Sequence, residues 1–265
     1  MLEIGGTFIK CSDGREIPID SAGDAAAVMA SLNQAVGDAV KVAAAVPGPF
    51  DYSTGQFLMK HKFSSVYGEY FADIVGLPRE KCRFMHDVNA MLCGEMKTGN
   101  GKGYGRVAMI TLGTGLGFSM SIDGKILTNE LGSPAVSIFR LPYRDGILED
   151  YASKRGVWRL YGSDVKSAKE IAQEAFSGDE KARETFRAMG LIIGEQIASI
   201  IKENGIGCLL LGGQISRSWE LFAPAIVSQF RNAGLKTTVQ PVSDFDNATF
   251  NGLKSILSNN RNENN

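Results

Sequence analysis

Glu3-Ile4-Gly5-Gly6-Thr7-Phe8-Ile9-Lys10 sets a Gly-Gly-Thr turn between two short apolar runs. Apolar runs on both sides of a glycine pair predict two strands joined by a tight turn. Further along, Val107-Ala108-Met109-Ile110-Thr111 and Phe118-Ser119-Met120-Ser121-Ile122 flank a second turn, Gly113-Thr114-Gly115-Leu116-Gly117. A third apolar run, Cys208-Leu209-Leu210-Leu211, ends in Gly212-Gly213. The echo of strand, glycine-threonine turn and strand predicts two lobes built on one plan. That is an α/β fold with a duplicated mixed sheet plus helices.

Glycine admits φ > 0 and lets a phosphate approach backbone N–H groups with no Cβ in the way. Thr7 and Thr114 add hydroxyl donors beside the glycines, and Lys10 adds charge just after the first turn. Any one of these turns alone reads equally well as a β-turn without a ligand. Neither the Walker nor the Rossmann pattern fits, because the first two turns lead into strands and not helices. As a set, they suit two lobes that clamp a triphosphate with one hairpin each. The candidate nucleotide contacts are therefore Gly5, Gly6, Thr7, Lys10, Gly113, Thr114, Gly115, Gly117, Gly212 and Gly213.

Around these turns the chain reads as alternating strands and helices. Phe8–Cys11 and Glu16–Ile19 are strand-like about the turn Ser12–Arg15, and Asp24–Val36 carries helical spacing. Val40–Val46 reads as a buried strand running into Pro47-Gly48-Pro49. Tyr67–Val75 reads as a helix stopped by Gly76 and Pro78. Arg83–His86 is a short strand, and Asp87–Glu95 a helix with Asp87 at or near its N-cap. The run Gly99, Gly101, Gly103, Gly105 marks the expected lobe boundary, giving lobes 1–105 with a closing segment 244–258, and 106–243. Ser167–Asn204 has one long helical pattern, followed by a strand at Cys208–Leu211 and a helix at Pro224–Ala233. Val239–Val242 is a last strand and Asn247–Leu257 a closing helix, and the polar tail Ser258–Asn265 is expected to be disordered.

Composition narrows the class. The 265 residues are 44% hydrophobic and 22% charged, ordinary for a globular protein with a sizeable core. Lys+Arg 28 against Asp+Glu 29 gives net charge -1 and no electrostatic case for nucleic acid or a membrane surface. No apolar run approaches membrane-spanning length, and the N-terminus has no secretory signal pattern. Cys11, Cys82, Cys93 and Cys208 are scattered, which fits reduced thiols and a cytoplasmic location.

Several motifs in order resemble the ROK family of sugar kinases and sugar-responsive repressors, within the actin/hexokinase-like superfamily. Glu3–Lys10 resembles the family's D-x-G-G-T-x-x-K loop, Val46-Pro47-Gly48-Pro49 its V-x-P-G-P segment, and His86-Asp87-Val88-Asn89-Ala90 its N-D-x-N-A motif. Gly113–Gly117 is similar to the second phosphate loop, Glu130-Leu131-Gly132 to E-x-G-H, and Glu149-Asp150-Tyr151-Ala152-Ser153 to E-x-x-A-S. Leu211–Ser216 resembles the adenosine-side glycine pair. The likeness runs from Glu3 to about Leu257.

The resemblance implies a two-lobed, actin-like ATPase (ribonuclease H-like) fold and a glucokinase-like transfer of the ATP γ-phosphate to a hexose hydroxyl. It implies Asp87 as the base, with sugar contacts from Gly48, His86, Glu130, Ser133 and Glu149. From the residues alone, Asp87 reads as a helix cap worth about 1 kcal/mol, and Glu130 and Glu149 as solvated surface. Mg²⁺ is expected among the phosphates, with Glu3 reaching its water shell in place of the family's Asp. Only two residues precede Glu3, so its strand is expected to be short. The resemblance also implies a homodimer.

The departures bear on metal and mechanism. The family's zinc ligands are a His and three Cys; here those positions hold Ser133, Arg140, Pro142 and Ile147, so no zinc site is expected. The Asn ahead of the base is His86. These changes keep a second reading open, a catalytically silent sugar-binding or regulatory member. A DNA-binding repressor would carry a helix-turn-helix ahead of the first loop, and that version is not expected.

Overall fold

A computed structural model describes residues 1–258. Ser258 closes the last helix, and the rest of the tail expected to be disordered, residues 259–265, lies outside the described residues. The chain divides into two compact units. One holds residues 1–97, 128–135 and 246 onward; the other holds 98–127 and 136–245. The first boundary falls at Lys97, ahead of the glycine run, and Thr128–Ala135 joins the first unit although the sequence reading placed it in the second lobe.

In the first unit, β1 (Leu2–Ile4) and β2 (Phe8–Cys11) pair antiparallel about the glycine turn, with Glu3 opposite Lys10. β3 (Glu16–Pro18) pairs back on β2. α1 (Ala25–Val36) begins where the Asp24 carboxylate accepts the Ala27 N–H at 2.8 Å, and it buries Val28, Leu32, Ala35 and Val36. β4 (Val42–Val46) is buried along its whole length between parallel neighbours, which explains its unbroken apolar run. It starts later than expected, because Val40 is 78% exposed ahead of it.

β5 (Phe50–Asp51) and β6 (Gln56–Phe57) form a small hairpin. The helix expected over Tyr67–Val75 shrinks to one turn, α2 (Phe71–Ile74). Gly68 takes φ 87, its N–H donates to Phe57, and Tyr70 bridges Gln56, so this stretch is drawn into extended pairing. β7 (Cys82–His86) runs parallel to β4 and leads straight into α3 (Asp87–Thr98).

The second unit repeats the plan. β8 (Arg106–Leu112) and β9 (Leu116–Ile122) pair antiparallel about the second glycine turn, and β10 (Lys125–Ile126) folds back on β9. β11 (Pro142–Tyr143) and β12 (Gly146–Ile147) make a separate ribbon. α4 (Lys154–Tyr161) escaped the sequence reading, although Ser153 caps it and Gly162 ends it in the left-handed region. The long helical pattern resolves into α5 (Ala168–Phe176) and α6 (Glu180–Glu203), broken where Gly178 turns to φ 103 and Asp179 caps α6. β13 (Cys208–Gly212), α7 (Ala223–Asn232) and β14 (Thr238–Pro241) follow. The first sheet has the order β3-β2-β1-β4-β7 and the second β10-β9-β8-β13-β14. Each is an antiparallel meander followed by two parallel strands, so the duplication legible in the turns is the duplication of the sheets.

α8 (Ala248–Ser258) returns to the first unit, where Phe250 and Leu253 pack with Ala43, Ala45 and Ala90. α3 and α8 cross closely at two glycines. A Cβ on Gly94 would stand 2.1 Å from the Ala248 carbonyl oxygen, and one on Gly252 1.8 Å from that of Ala90. Among the described residues no helix is long and apolar enough to cross a membrane.

Candidate active site

The direct join of β7 to α3 fixes where Asp87 stands. β7 is tied to buried β4 from Val42↔Cys82 to Val46↔His86, so the last strand residue and the first helix residue cannot drift. The Asp87 carboxylate is 43% exposed. Its Oδ1 accepts the Val88 N–H at 2.7 Å and lies 2.8 Å from Nδ1 of His86. That imidazole nitrogen is buried without an aligned hydrogen-bond partner. Both close contacts fall on Oδ1. Desolvation opposes the charge on Asp87, but His86, the Val88 N–H and the Lys62 ammonium together hold its carboxyl below the usual range.

A ladder of rings holds His86 in place. Phe71 and Phe84 meet at 5.3 Å, Phe84 and Phe50 at 5.2 Å, Phe50 and Tyr52 at 5.2 Å, and Tyr52 and His86 at 5.8 Å. Aromatic contacts of this kind contribute about 0.5–1.5 kcal/mol each beyond area burial. The Tyr52 hydroxyl donates to the Val46 carbonyl at 2.8 Å, and burial with the Asp87 charge nearby pushes the phenol well up.

The loop Asn129–Ser133 is an Asx turn. Asn129 Oδ1 accepts the N–H groups of Leu131 and Ser133, each at 3.1 Å. Tyr52 N–H donates to the Leu131 carbonyl at 3.0 Å and Asn89 Nδ2 to that of Gly132 at 3.2 Å, which anchors the turn to the first unit. A Cβ on Gly48, beside the cis Gly48–Pro49 bond, would stand 3.4 Å from both Ser133 Oγ and His86 Cδ2. Gly48, His86 and Ser133 thus lie together, and Asp87 adjoins them through His86. Glu130 is exposed at the tip of the same turn.

Glu3 lies opposite Lys10 in the sheet, and Thr249 donates to its Oε1 over a long 3.5 Å. Burial pushes its carboxyl up, tempered by the Lys10 charge. A half-buried, weakly held carboxylate of this kind suits a cation or its water shell, so Glu3 fits the Mg²⁺ role. Gly5 is required by its own turn: its N–H donates to the Phe8 carbonyl at 2.9 Å, and a Cβ would stand 2.8 Å from that oxygen. Gly6 lies against Ser21, and Thr7 is exposed.

In the second unit, Glu149 has both oxygens engaged. Oε2 accepts the Leu116 N–H at 2.9 Å, and Oε1 accepts from Arg155 at 2.9 Å. A Cβ on Gly115 would stand 2.9 Å from Oε2, so glycine there lets the carboxylate reach the hairpin. Lys154 N–H donates to the Gly113 carbonyl at 2.8 Å, which ties the start of α4 to the same turn. Thr114 is exposed at its tip, Gly113 has open space beside it, and Gly117 pairs with Thr111. Gly212 is buried at the end of β13, and Gly213 takes φ 84 where a Cβ would stand 2.4 Å from the Leu112 carbonyl. The positions aligned with zinc-binding cysteines carry an arginine and a cross-strand pair, Pro142 and Ile147, beside an edge-on Tyr143–Tyr151 contact at 4.8 Å. These side chains offer zinc no thiolate or imidazole.

Sequence reasoning missed Tyr52, Lys62 and Arg155. Tyr52 sits six residues after Val46 in the quoted V-x-P-G-P segment, a position where an aromatic reads as core. Arg155 lies two residues past the Glu149–Ser153 motif, and Lys62 lies far from any motif.

The sequence profile of the ROK family matches residues 22–136 and 142–257. The chain is 36% identical to a glucokinase of Streptomyces coelicolor over 105 residues, 40% of this chain and 32% of the relative. It is 30% identical to the N-acetylgalactosamine kinase AgaK of Shewanella sp. (strain ANA-3) over 172 residues, 57% of this chain and 56% of that one. The chain thus spans from about a third to just over half of these curated relatives. The solved structure of a ROK family glucokinase from Streptomyces griseus, in complex with glucose and AMPPNP, superposes with TM-score 0.79 at 24% identity, covering 96% of this chain and 97% of that one. The fold is therefore that of actin-like ATPases.

Proposed function

The chain belongs to the ROK family, and we propose that it is an ATP-dependent kinase acting on a hexose or an N-acetylated hexosamine. The relatives act on glucose and N-acetylgalactosamine by name. The observation that carries the reading is the Asp87 carboxylate, with Oδ1 occupied by the Val88 N–H and adjoining His86, whose ring lies with Ser133 against Gly48.

Phosphoryl transfer asks for alignment, charge neutralisation and an acceptor for one proton. A sugar hydroxyl lying against Gly48 and Ser133 donates to Asp87 Oδ2. Its oxygen attacks the γ-phosphorus, the bond to the β,γ-bridging oxygen breaks, and the hydroxyl proton passes to Asp87. Sugar phosphate and ADP leave. The lowered carboxyl of Asp87 keeps it ionised at neutral pH, and a loose transition state does not need a strong base. In each unit the tip of the turn suits phosphate oxygens, Gly6–Thr7 in the first and Thr114–Gly115 in the second, where Gly213 suits the adenosine side. Mg²⁺, held by Glu3 through water, would supply charge neutralisation at the phosphates.

The test is ADP release by the full chain with Mg²⁺ across hexoses and N-acetylhexosamines. Turnover on one of them that disappears in Asp87→Asn supports the kinase. Sugar binding without ADP release on any of them favours a silent sugar sensor and sinks the reading.

A further inference from the structure

Lys62 belongs to no motif, yet its backbone is fixed. Phe63 is fully buried at φ 52, and its N–H donates to the Ser21 carbonyl at 2.6 Å. Ser21 N–H in turn donates to the Gly6 carbonyl at 3.0 Å. Two consecutive hydrogen bonds therefore tie the segment carrying Lys62 to the first glycine turn. The side chain follows: Lys62 Cε lies 3.9 Å from the point where a Cβ on Gly6 would stand. Its ammonium is also close enough to act on the Asp87 carboxylate. The neighbours do not share this placement. Lys60 sits over the Tyr67 ring at 5.4 Å, and His61 is exposed. Among the described residues no ion pair uses Lys62.

A half-buried cation beside a phosphate-type turn and within electrostatic reach of the base suits the charge of a phosphoryl group. We propose that Lys62 is a further catalytic residue, which grips the terminal phosphoryl group of the nucleotide between the Gly5-Gly6-Thr7 turn and Asp87. The proposal rests on the kinase reading above. An ammonium there neutralises charge on the equatorial oxygens as the bond to ADP breaks, and it keeps the acceptor carboxylate ionised. It takes no proton and forms no bond.

The experiment compares the full chain with Lys62→Met and Lys62→Arg, by calorimetric titration with AMPPNP and with ADP, each with Mg²⁺, and by steady-state turnover. Lys62→Met is expected to weaken AMPPNP by about tenfold and leave ADP within about twofold, since only the analogue carries the third phosphate. It is expected to lower kcat by about 10²–10³-fold, and Lys62→Arg to recover most of the analogue affinity. The acid limb of the kcat/KM profile should move up in Lys62→Met and stay in place in Lys62→Arg. The other groups that face Asp87, namely His86 of β7, Glu3 of β1 and Tyr52 after β5, are unchanged in both variants. Equal loss of AMPPNP and ADP, or turnover of Lys62→Met within about threefold of the unaltered chain, overturns the role of Lys62 alone. An unaltered chain that binds neither nucleotide overturns the kinase reading, and Lys62 with it. Should Lys62→Met not fold, Lys62→Gln carries the same comparison.

Discussion

The Glu149 carboxylate accepts the Leu116 N–H at 2.9 Å, and so braces the hairpin between β8 and β9 from below its turn. Its other oxygen is taken by Arg155. Glu149→Gln keeps a single acceptor oxygen, which can take either the Leu116 N–H or the Arg155 guanidinium, and it sets an amide donor against the other. The expected result is a KM for ATP that rises by about three- to tenfold with little change in the KM for sugar, since one charge-assisted hydrogen bond is at stake. A rise confined to the sugar KM would assign Glu149 to sugar instead.

Asp87→Asn keeps the size of the side chain and removes the proton acceptor. Turnover is expected to fall by about 10²–10⁴-fold, the usual span for a general base. Sugar affinity, read by calorimetry, should stay within a few-fold. Loss of binding along with turnover would mean that Asp87 holds the sugar and does not take its proton.

His86 occupies the place of an asparagine in the family pattern, and its imidazole helps to lower the Asp87 carboxyl. Removing that help in His86→Asn raises the folded-state value of Asp87. The acid limb of the pH–rate profile should therefore move to higher pH, with the plateau above neutrality little changed. An unmoved limb would assign the lowering to the Val88 N–H and Lys62.

Burial pushes the Glu3 carboxyl up, so the folded chain binds this proton more tightly than the unfolded chain does. Stability from that proton is complete below the ordinary carboxyl value of 4.5 and is lost as pH rises through the raised one. Glu3→Gln is neutral throughout. It should melt a few degrees higher than the unaltered chain at pH 7–8, a gap that closes in acid, while its Mg²⁺-dependent turnover drops. A variant that melts lower at neutral pH would refute the sign.

Gly94→Ala presses a methyl group against the Ala248 carbonyl, where 2.1 Å is available. Backbone on both helices has to shift, so unfolding should become easier by about 1–3 kcal/mol, read by urea titration. Gly113→Ala, with open space beside it, should change stability far less.

The fold was legible because strand-turn-strand pairs repeat, and glycine pairs at strand ends admit few other readings. Gly48, His86, Ser133 and Asp87 were legible for a different reason: the motifs preserve their spacing. Other features could not be read because they depend on pairing across the chain. The one-turn fate of Tyr67–Val75 is decided by Phe57 and Gln56, which capture residues 68–70. The break at Gly178 lay inside an otherwise helical pattern, which hid it. Lys62 was invisible because its place is set by Phe63 turning through φ 52 onto Ser21, a long-range bond with no local signature.

Neither unit is a continuous stretch of chain, and the first needs residues 128–135 and 246 onward to be complete. A growing polypeptide can therefore finish its middle portion, 98–245, before its beginning. Met1–Lys97 must wait first for residues 128–135 and then, longest, for α8 to cover β4. The half that carries Asp87 is thus the last to close in synthesis, and a truncation that spares every motif up to Ser216 would still leave it open.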